Sequence, residues 1–183
     1  MRAILWTTYG GPDALQLGEA ERPVAAEGEI LVKVHATTVT MGDCEMRSLR
    51  LPMGLGLPMR LYAGLWRPRR LEIMGQEFAG EVVEVGTGVT RFKEGDRVFG
   101  AGGFGSGTYA EYITVPDVPG DMDGPTEHMP SNMSFEEAAA LPLGGLESVH
   151  FLRRANIRPG HKVLVVGAGG SIGTAGVQIA QHF

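Results

Sequence analysis

Lys162-Val163-Leu164-Val165-Val166-Gly167-Ala168-Gly169-Gly170-Ser171-Ile172-Gly173-Thr174 is the stretch that decides the fold. An apolar, β-branched run meets glycines at 167, 169, 170 and 173, and Ile172, Ala175, Gly176, Ile179 and Ala180 follow at helical spacing. The order predicts strand, turn, helix. Such a unit offers backbone N–H groups and a helix N-terminus to a phosphate. Its glycines serve a tight turn, close backbone approach to a diphosphate, and close packing of helix on strand. Gly167, Ala168, Gly169, Gly170, Ser171, Ile172 and Gly173 are therefore the candidate dinucleotide-binding residues. The competing reading is a glycine-rich turn in some other α/β unit, with no ligand.

The sequence ends at Phe183, inside the helix that follows the glycines. A doubly wound sheet needs further strands, and the acidic residue that reads the ribose lies about 20 residues past the turn. The expectation is a truncated cofactor domain, weak or inactive in turnover. The Lys162–Val166 strand would then lack its neighbours, and unpaired backbone groups are costly to bury and adhesive when exposed.

Composition narrows the function. A formal net charge of −5 and a pI near 5.5 argue against nucleic acid and against anionic membrane as partners. One local cluster runs the other way: Arg60, Arg67, Arg69 and Arg70 alternate with Leu61, Tyr62, Leu65 and Trp66. It reads as a solvated helix face beside a connection, with an anion patch as the alternative. Cys44 is the only cysteine, so there is no intrachain disulfide and no cysteine-built zinc cluster, and a reducing, cytoplasmic setting is expected. No apolar run approaches the ~20 residues of a membrane span. Met1-Arg2 leads directly into a strand-like Ala3-Ile4-Leu5-Trp6, unlike a signal peptide.

Upstream of the turn the pattern is mostly strands. Arg2–Thr7 and Leu15–Glu19 flank a Gly10-Gly11-Pro12-Asp13 turn, and Glu29–Val39 alternates, with Ile30, Val32, Val34 and Ala36 on one face. Met41–Leu51 predicts a short helix closed by Pro52. Residues 51–70 read as a Gly/Pro-spotted connection whose Met53, Leu55, Leu57, Tyr62 and Trp66 cover a pocket or a partner. Gly75–Gly86, Arg97–Phe99 and Tyr109–Val115 read as strands, Gly100–Gly107 as a flexible bend, and Val118–Ser131 as an exposed connection. Such a meander fits a barrel or sandwich. Ser134-Phe135-Glu136-Glu137 is a capping box that opens a helix ended by Pro142, and a second helix runs from about Gly144 to Ala155.

Three stretches carry a resemblance. Gly75-Gln76-Glu77-Phe78-Ala79-Gly80-Glu81-Val82-Val83-Glu84-Val85-Gly86, Gly107-Thr108-Tyr109-Ala110-Glu111-Tyr112, and Ser134 through Gln178 resemble, in order, segments of the medium-chain dehydrogenases/reductases. The resemblance covers nearly the whole chain and is specific as a set. It implies a mixed α/β chain: a GroES-like β-barrel catalytic domain over 1–130, and the first strand–turn–helix of a Rossmann domain over 131–183. It further implies hydride transfer with NADP or NAD to a small-molecule carbonyl substrate, in a homo-oligomer.

Within that family the chain resembles the zinc-independent, quinone-oxidoreductase-like branch. Gln76 stands where zinc-dependent members carry a histidine, and Thr40 where they carry a cysteine, while Cys44 falls one step past Asp43. None of the five histidines lies at metal-ligand spacing from another, so no metal is expected. Without a Lewis acid, hydrogen-bond donors must polarise the carbonyl, which favours a quinone, an enone or another activated acceptor. Thr40 and Asp43 match the loop lining the family's active-site cleft and are the candidate catalytic residues. The alternative for Asp43 is the N-cap of the Met41–Leu51 helix. Tyr62 and Tyr109 are the phenols that could hand over a proton. Glu147 departs from the family, which carries a threonine there facing the cofactor. Two other readings remain open: a non-catalytic GroES-like assembly module pairing through its orphan strand, and a zinc alcohol dehydrogenase with displaced ligands.

Overall fold

The computed structural model describes residues 1–51, 54–69, 72–103 and 107–182. The expectations resting on Pro52, Met53, Arg70 and the middle of the Gly100–Gly107 bend lie outside the described residues. The chain forms two compact units, Met1–Ala139 and Ala140–Phe183.

The first unit is a curled antiparallel sheet. Strands β1 (Arg2–Trp6) and β2 (Leu15–Glu19) form a hairpin around a single helical turn at Pro12–Ala14. Five further strands, β3 (Glu29–Thr37), β4 (Glu77–Val85), β5 (Arg97–Ala101), β6 (Tyr112–Pro116) and β7 (Thr126–His128), lie in the order β6-β3-β4-β5-β7. The pairing of β3 with β4 breaks register at Leu31/Val32 and Val34/Ala36, and such bulges bend and twist a sheet. The hairpin completes the curl: β1 bridges to Ala110 and Ile73, with Ile4 N–H donating to Tyr109 C=O at 2.8 Å. Alternating inward residues make the core, Ile30, Val32, Phe78, Val82, Val98, Ile113 and Val115, which are at most 3 % exposed. The alternation legible in Glu29–Val39 is thus the inward face of β3.

Three expectations change here. Val118–Ser131 contains β7, with Thr126 and Met129 buried; three residues among Pro, Gly and Asp leave too short an alternation to read. Residues 51–70 contain a helix, α2 (Gly56–Ala63), after α1 (Met41–Ser48). Pro58 is harmless in its first turn, where its missing N–H would have had no partner. The third concerns Ser134: its capping box is formed (Glu137 N–H to Ser134 Oγ 3.2 Å, Ser134 N–H to Glu137 Oε2 2.9 Å), yet the helix it opens, α3 (Phe135–Ala139), packs on the first unit's sheet through Ala138 and Ala139.

The second unit holds α4 (Pro142–Arg154) and α5 (Ser171–His182). Lys162–Val166 is not a strand here. No strand among the described residues of this unit lies beside it, and a strand exists only through a partner's hydrogen bonds.

Candidate functional site

In the second unit the glycine turn is built as its sequence requires. Gly167 has φ +75°, a left-handed conformation that a side chain would strain, and its carbonyl accepts from Gly170 N–H at 3.1 Å. Thr174 closes the loop onto the helix, its N–H donating to Gly170 C=O at 2.8 Å and its hydroxyl to Ala168 C=O at 3.0 Å. A Cβ on Gly173 would come within 2.3 Å of Gly167 O, so only glycine fits beneath the turn. A Cβ on Gly169 would meet nothing within 4 Å. The amides of Ala168, Gly169, Ser171, Ile172 and Gly173 have no acceptor among the described residues, and all but Gly173 are exposed.

Helix α4 holds this arrangement from behind. Gly144 lets the backbone of Ser171 approach to where a Cβ would stand 3.0 Å from it. Ser148 Oγ lies 2.7 Å from Gly144 O and 2.6 Å from Ile172 O, so its one proton is shared between its own helix and the first turn of α5. The residue turned toward the glycine loop is thus Ser148, while Glu147 is exposed on a different side of α4.

In the first unit, Thr40 and Asp43 form a reciprocal cap on α1. Thr40 N–H and Oγ1 donate to Asp43 Oδ2 at 2.8 and 2.7 Å, and Asp43 N–H donates back to Thr40 Oγ1 at 3.2 Å. Thr40 is the N-cap, and Asp43 is the third helical residue, not the cap itself. Asp43 is 4 % exposed. Its Oδ2 accepts both bonds from Thr40, so the pair shapes the loop at the start of α1.

The Tyr109 phenol lies against Asp43. Burial first, then the Asp43 carboxylate, pushes its pKa well above the usual tyrosine range, and its buried hydroxyl has no partner with hydrogen-bond geometry. Gln76 completes the locus. Its amide lies against Gly42, whose Cβ would stand 3.6 Å from both Nε2 and Oε1 and 3.5 Å from Thr40 Oγ1. It is half-buried and its amide group has no hydrogen-bond partner among the described residues. Sequence reasoning treated Gln76 only as a poor zinc ligand; nothing in one sequence says that residues 76 and 42 touch. Behind Gln76, Thr38 hydrogen-bonds the buried Glu77 carboxylate, and Thr37 Oγ1 lies 2.8 Å from Thr108 Oγ1. Tyr62 lies on α2 and is 40 % exposed.

Thr40, Gln76 and Asp43 are not the donor set that zinc favours. Thr40 and Gln76 offer neutral oxygens or an amide where the ion prefers thiolate and imidazole, and Asp43 is engaged as a cap. Among the described residues no three His, Cys, Asp or Glu side chains converge. A cavity of about 470 Å³ opens nearby between the hairpin and β3, lined by Leu17, Val34, Val39, Thr108 and Tyr109 among others.

Residues 26–119 match the alcohol dehydrogenase GroES-like domain. The chain is 34 % identical to the quinone oxidoreductase of Rattus norvegicus, over 99 % of this chain and 50 % of that protein. Among solved structures it superimposes on the quinone oxidoreductase from Coxiella burnetii with a TM-score of 0.82 and 29 % identity, covering 100 % of this chain and 53 % of that one. It also matches mycobacterial Rv1454c complexed with NADPH, at a TM-score of 0.75 and 30 % identity, over 100 % and 50 % of the two chains. The chain spans about half the length of the curated relatives it matches. Among the described residues no helix is long and apolar enough to cross a membrane.

Proposed function

Because the chain belongs to the medium-chain dehydrogenase/reductase superfamily, through its alcohol dehydrogenase GroES-like domain, we propose that it serves a zinc-independent, NAD(P)H-dependent reduction of a quinone, an enone or a similar activated carbonyl. The observation that carries this reading is the open glycine turn. The unpaired amides of Ala168, Gly169 and Ser171–Gly173 suit a diphosphate, reinforced by the N-terminal end of the α5 dipole. A bound nicotinamide would supply the hydride. Ser148 and Gly144 keep the turn in shape, and the glycine at 173 lets helix and loop meet.

In the barrel unit the residues divide their work. Asp43 fixes Thr40 and the start of α1, and Gln76 is the donor left free to polarise an acceptor carbonyl. A neutral amide suits an acceptor that spreads its own charge, as quinones and enones do. The mycobacterial relative solved with NADPH supports a nicotinamide dinucleotide, NADP or NAD, as the cofactor. A cytoplasmic homo-oligomer belongs to the same reading.

The test is NADPH consumption, followed by its near-ultraviolet absorbance with a quinone and with an enone, for this chain and for any longer polypeptide containing it. Gln76→Leu is expected to lower kcat/KM by about 10²-fold, the scale of losing one donor to a developing oxyanion. Unchanged turnover in that variant contradicts the role given to Gln76.

One observation favours a second reading, an assembly module. The unpaired Lys162–Val166 run exposes Leu164 and Val166 at 87 % and 88 %, and such a segment accepts a neighbouring strand readily. Light scattering distinguishes it: a monodisperse monomer of 19.5 kDa counts against assembly through that run.

A further inference from the structure

The residues around α2 form a surface that the reductase reading leaves without a task. From residue 46 to residue 71 the sequence holds Arg47, Arg50, Arg60, Arg67, Arg69 and Arg70 and not one aspartate or glutamate, in a chain whose net charge is −5. Among the described residues none of Arg47, Arg50, Arg60, Arg67 and Arg69 pairs with a carboxylate. Leu57 and Leu61, four residues apart on α2, are 66 % and 67 % exposed, and Trp66, just past the helix, is 85 % exposed. The burial of apolar side chains goes the wrong way here for a free surface.

The patch is nevertheless firmly built from behind. Tyr9 donates its hydroxyl to Gly64 C=O at 2.5 Å, the Arg60 guanidinium lies 5.1 Å from the Tyr9 ring centroid, and Arg69 N–H donates to Ala63 C=O at 2.8 Å. Ala63 and Pro68 are buried beneath it. Leucines and a tryptophan are thus held outward with Arg67 and Arg69 exposed beside them.

We infer that this face docks peripherally on anionic lipid bilayers, with Leu57, Leu61 and Trp66 entering the interface and Arg67 and Arg69 meeting the headgroups. The charge pattern selects that occupant. A nucleic-acid surface would leave the leucines in water, whereas a bilayer interface takes aliphatic, indole and guanidinium groups together. The overall acidity, which argued against a membrane at the level of composition, is a poor guide at contact range. Near 0.1 M salt the Debye length is about 10 Å, so the headgroups respond to the local arginines more than to distant carboxylates.

Vesicle sedimentation with this chain tests the inference, using phosphatidylcholine alone and phosphatidylcholine mixed with phosphatidylglycerol. The chain has two tryptophans and Trp6 is only 2 % exposed, so a blue shift in emission reports Trp66. Binding to the anionic vesicles alone, with that shift, is expected. Arg67→Glu with Arg69→Glu should weaken it about tenfold or more, and high salt should do the same. Trp66→Ser should lower binding and abolish the shift; circular dichroism of each variant establishes that the fold is retained. No binding to anionic vesicles, equal binding to neutral ones, or a Trp66-dependent dimer in their absence overturns the inference.

Discussion

Gly173 lies so close beneath Gly167 that a methyl group on it would stand 2.3 Å from the Gly167 carbonyl oxygen and 2.6 Å from the Ala168 Cα. Both atoms are backbone and cannot swing aside. Helix α5 can therefore begin where it does only if residue 173 has no side chain. Gly173→Ala is expected to push the turn off the helix and lower NADPH affinity at least tenfold, read by nucleotide fluorescence. Gly169→Ala, where there is open space, should fold normally. Equal loss in the two variants would separate affinity from the geometry described.

Tyr109 sets an alkaline limit on the barrel unit. Burial and the adjacent Asp43 hold its phenol protonated above the ordinary value, so the folded chain keeps that proton when the unfolded chain has lost it. Stability from this source is complete below about pH 10, the unfolded value, and falls as pH climbs toward the folded one. Tyr109→Phe should show a shallower alkaline fall in denaturation midpoint than the parent. An unchanged slope would mean that the phenol ionises freely.

Much of this was legible because it rests on periodicity or on local chemistry. Ile30, Val32 and Val34 announced β3 by alternation, and Ser134 with Glu137 announced its capping box by spacing. The Gly167–Gly173 turn was legible because two of its glycines answer to local backbone demands, Gly167 through its positive φ and Gly173 through the backbone packed where a Cβ would stand. What escaped depends on distance. The contact of Gln76 with Gly42 joins residues on different elements, and β7 exists only because β5 offers it an edge. Lys162–Val166 shows the converse, a strand-like sequence with no partner to make it one. At Asp43 the sequence left two roles open, catalytic residue and helix N-cap, and geometry showed that Thr40 is the cap while Asp43 answers it from the third helical position.

Asp117 anchors the loop before β5 from the end of β6. Its carboxylate, 4 % exposed as a residue, accepts from Thr90 N–H at 2.9 Å, Thr90 Oγ1 at 3.2 Å and Arg91 N–H at 3.2 Å. Asp117→Ala leaves those donors unsatisfied, and a loss of about 1–3 kcal/mol in unfolding free energy is expected by urea denaturation. A loss within a few tenths of 1 kcal/mol would mean that water replaces the carboxylate.

The most direct measurement is an amide NMR titration of the chain with NADPH. If the glycine turn cradles the diphosphate, the resonances of Ala168, Gly169, Ser171, Ile172 and Gly173 move together and saturate at one affinity, while Gly173→Ala weakens the whole set. Saturable binding that leaves those five amides unmoved would contradict the assignment of the turn, and with it the reductase reading.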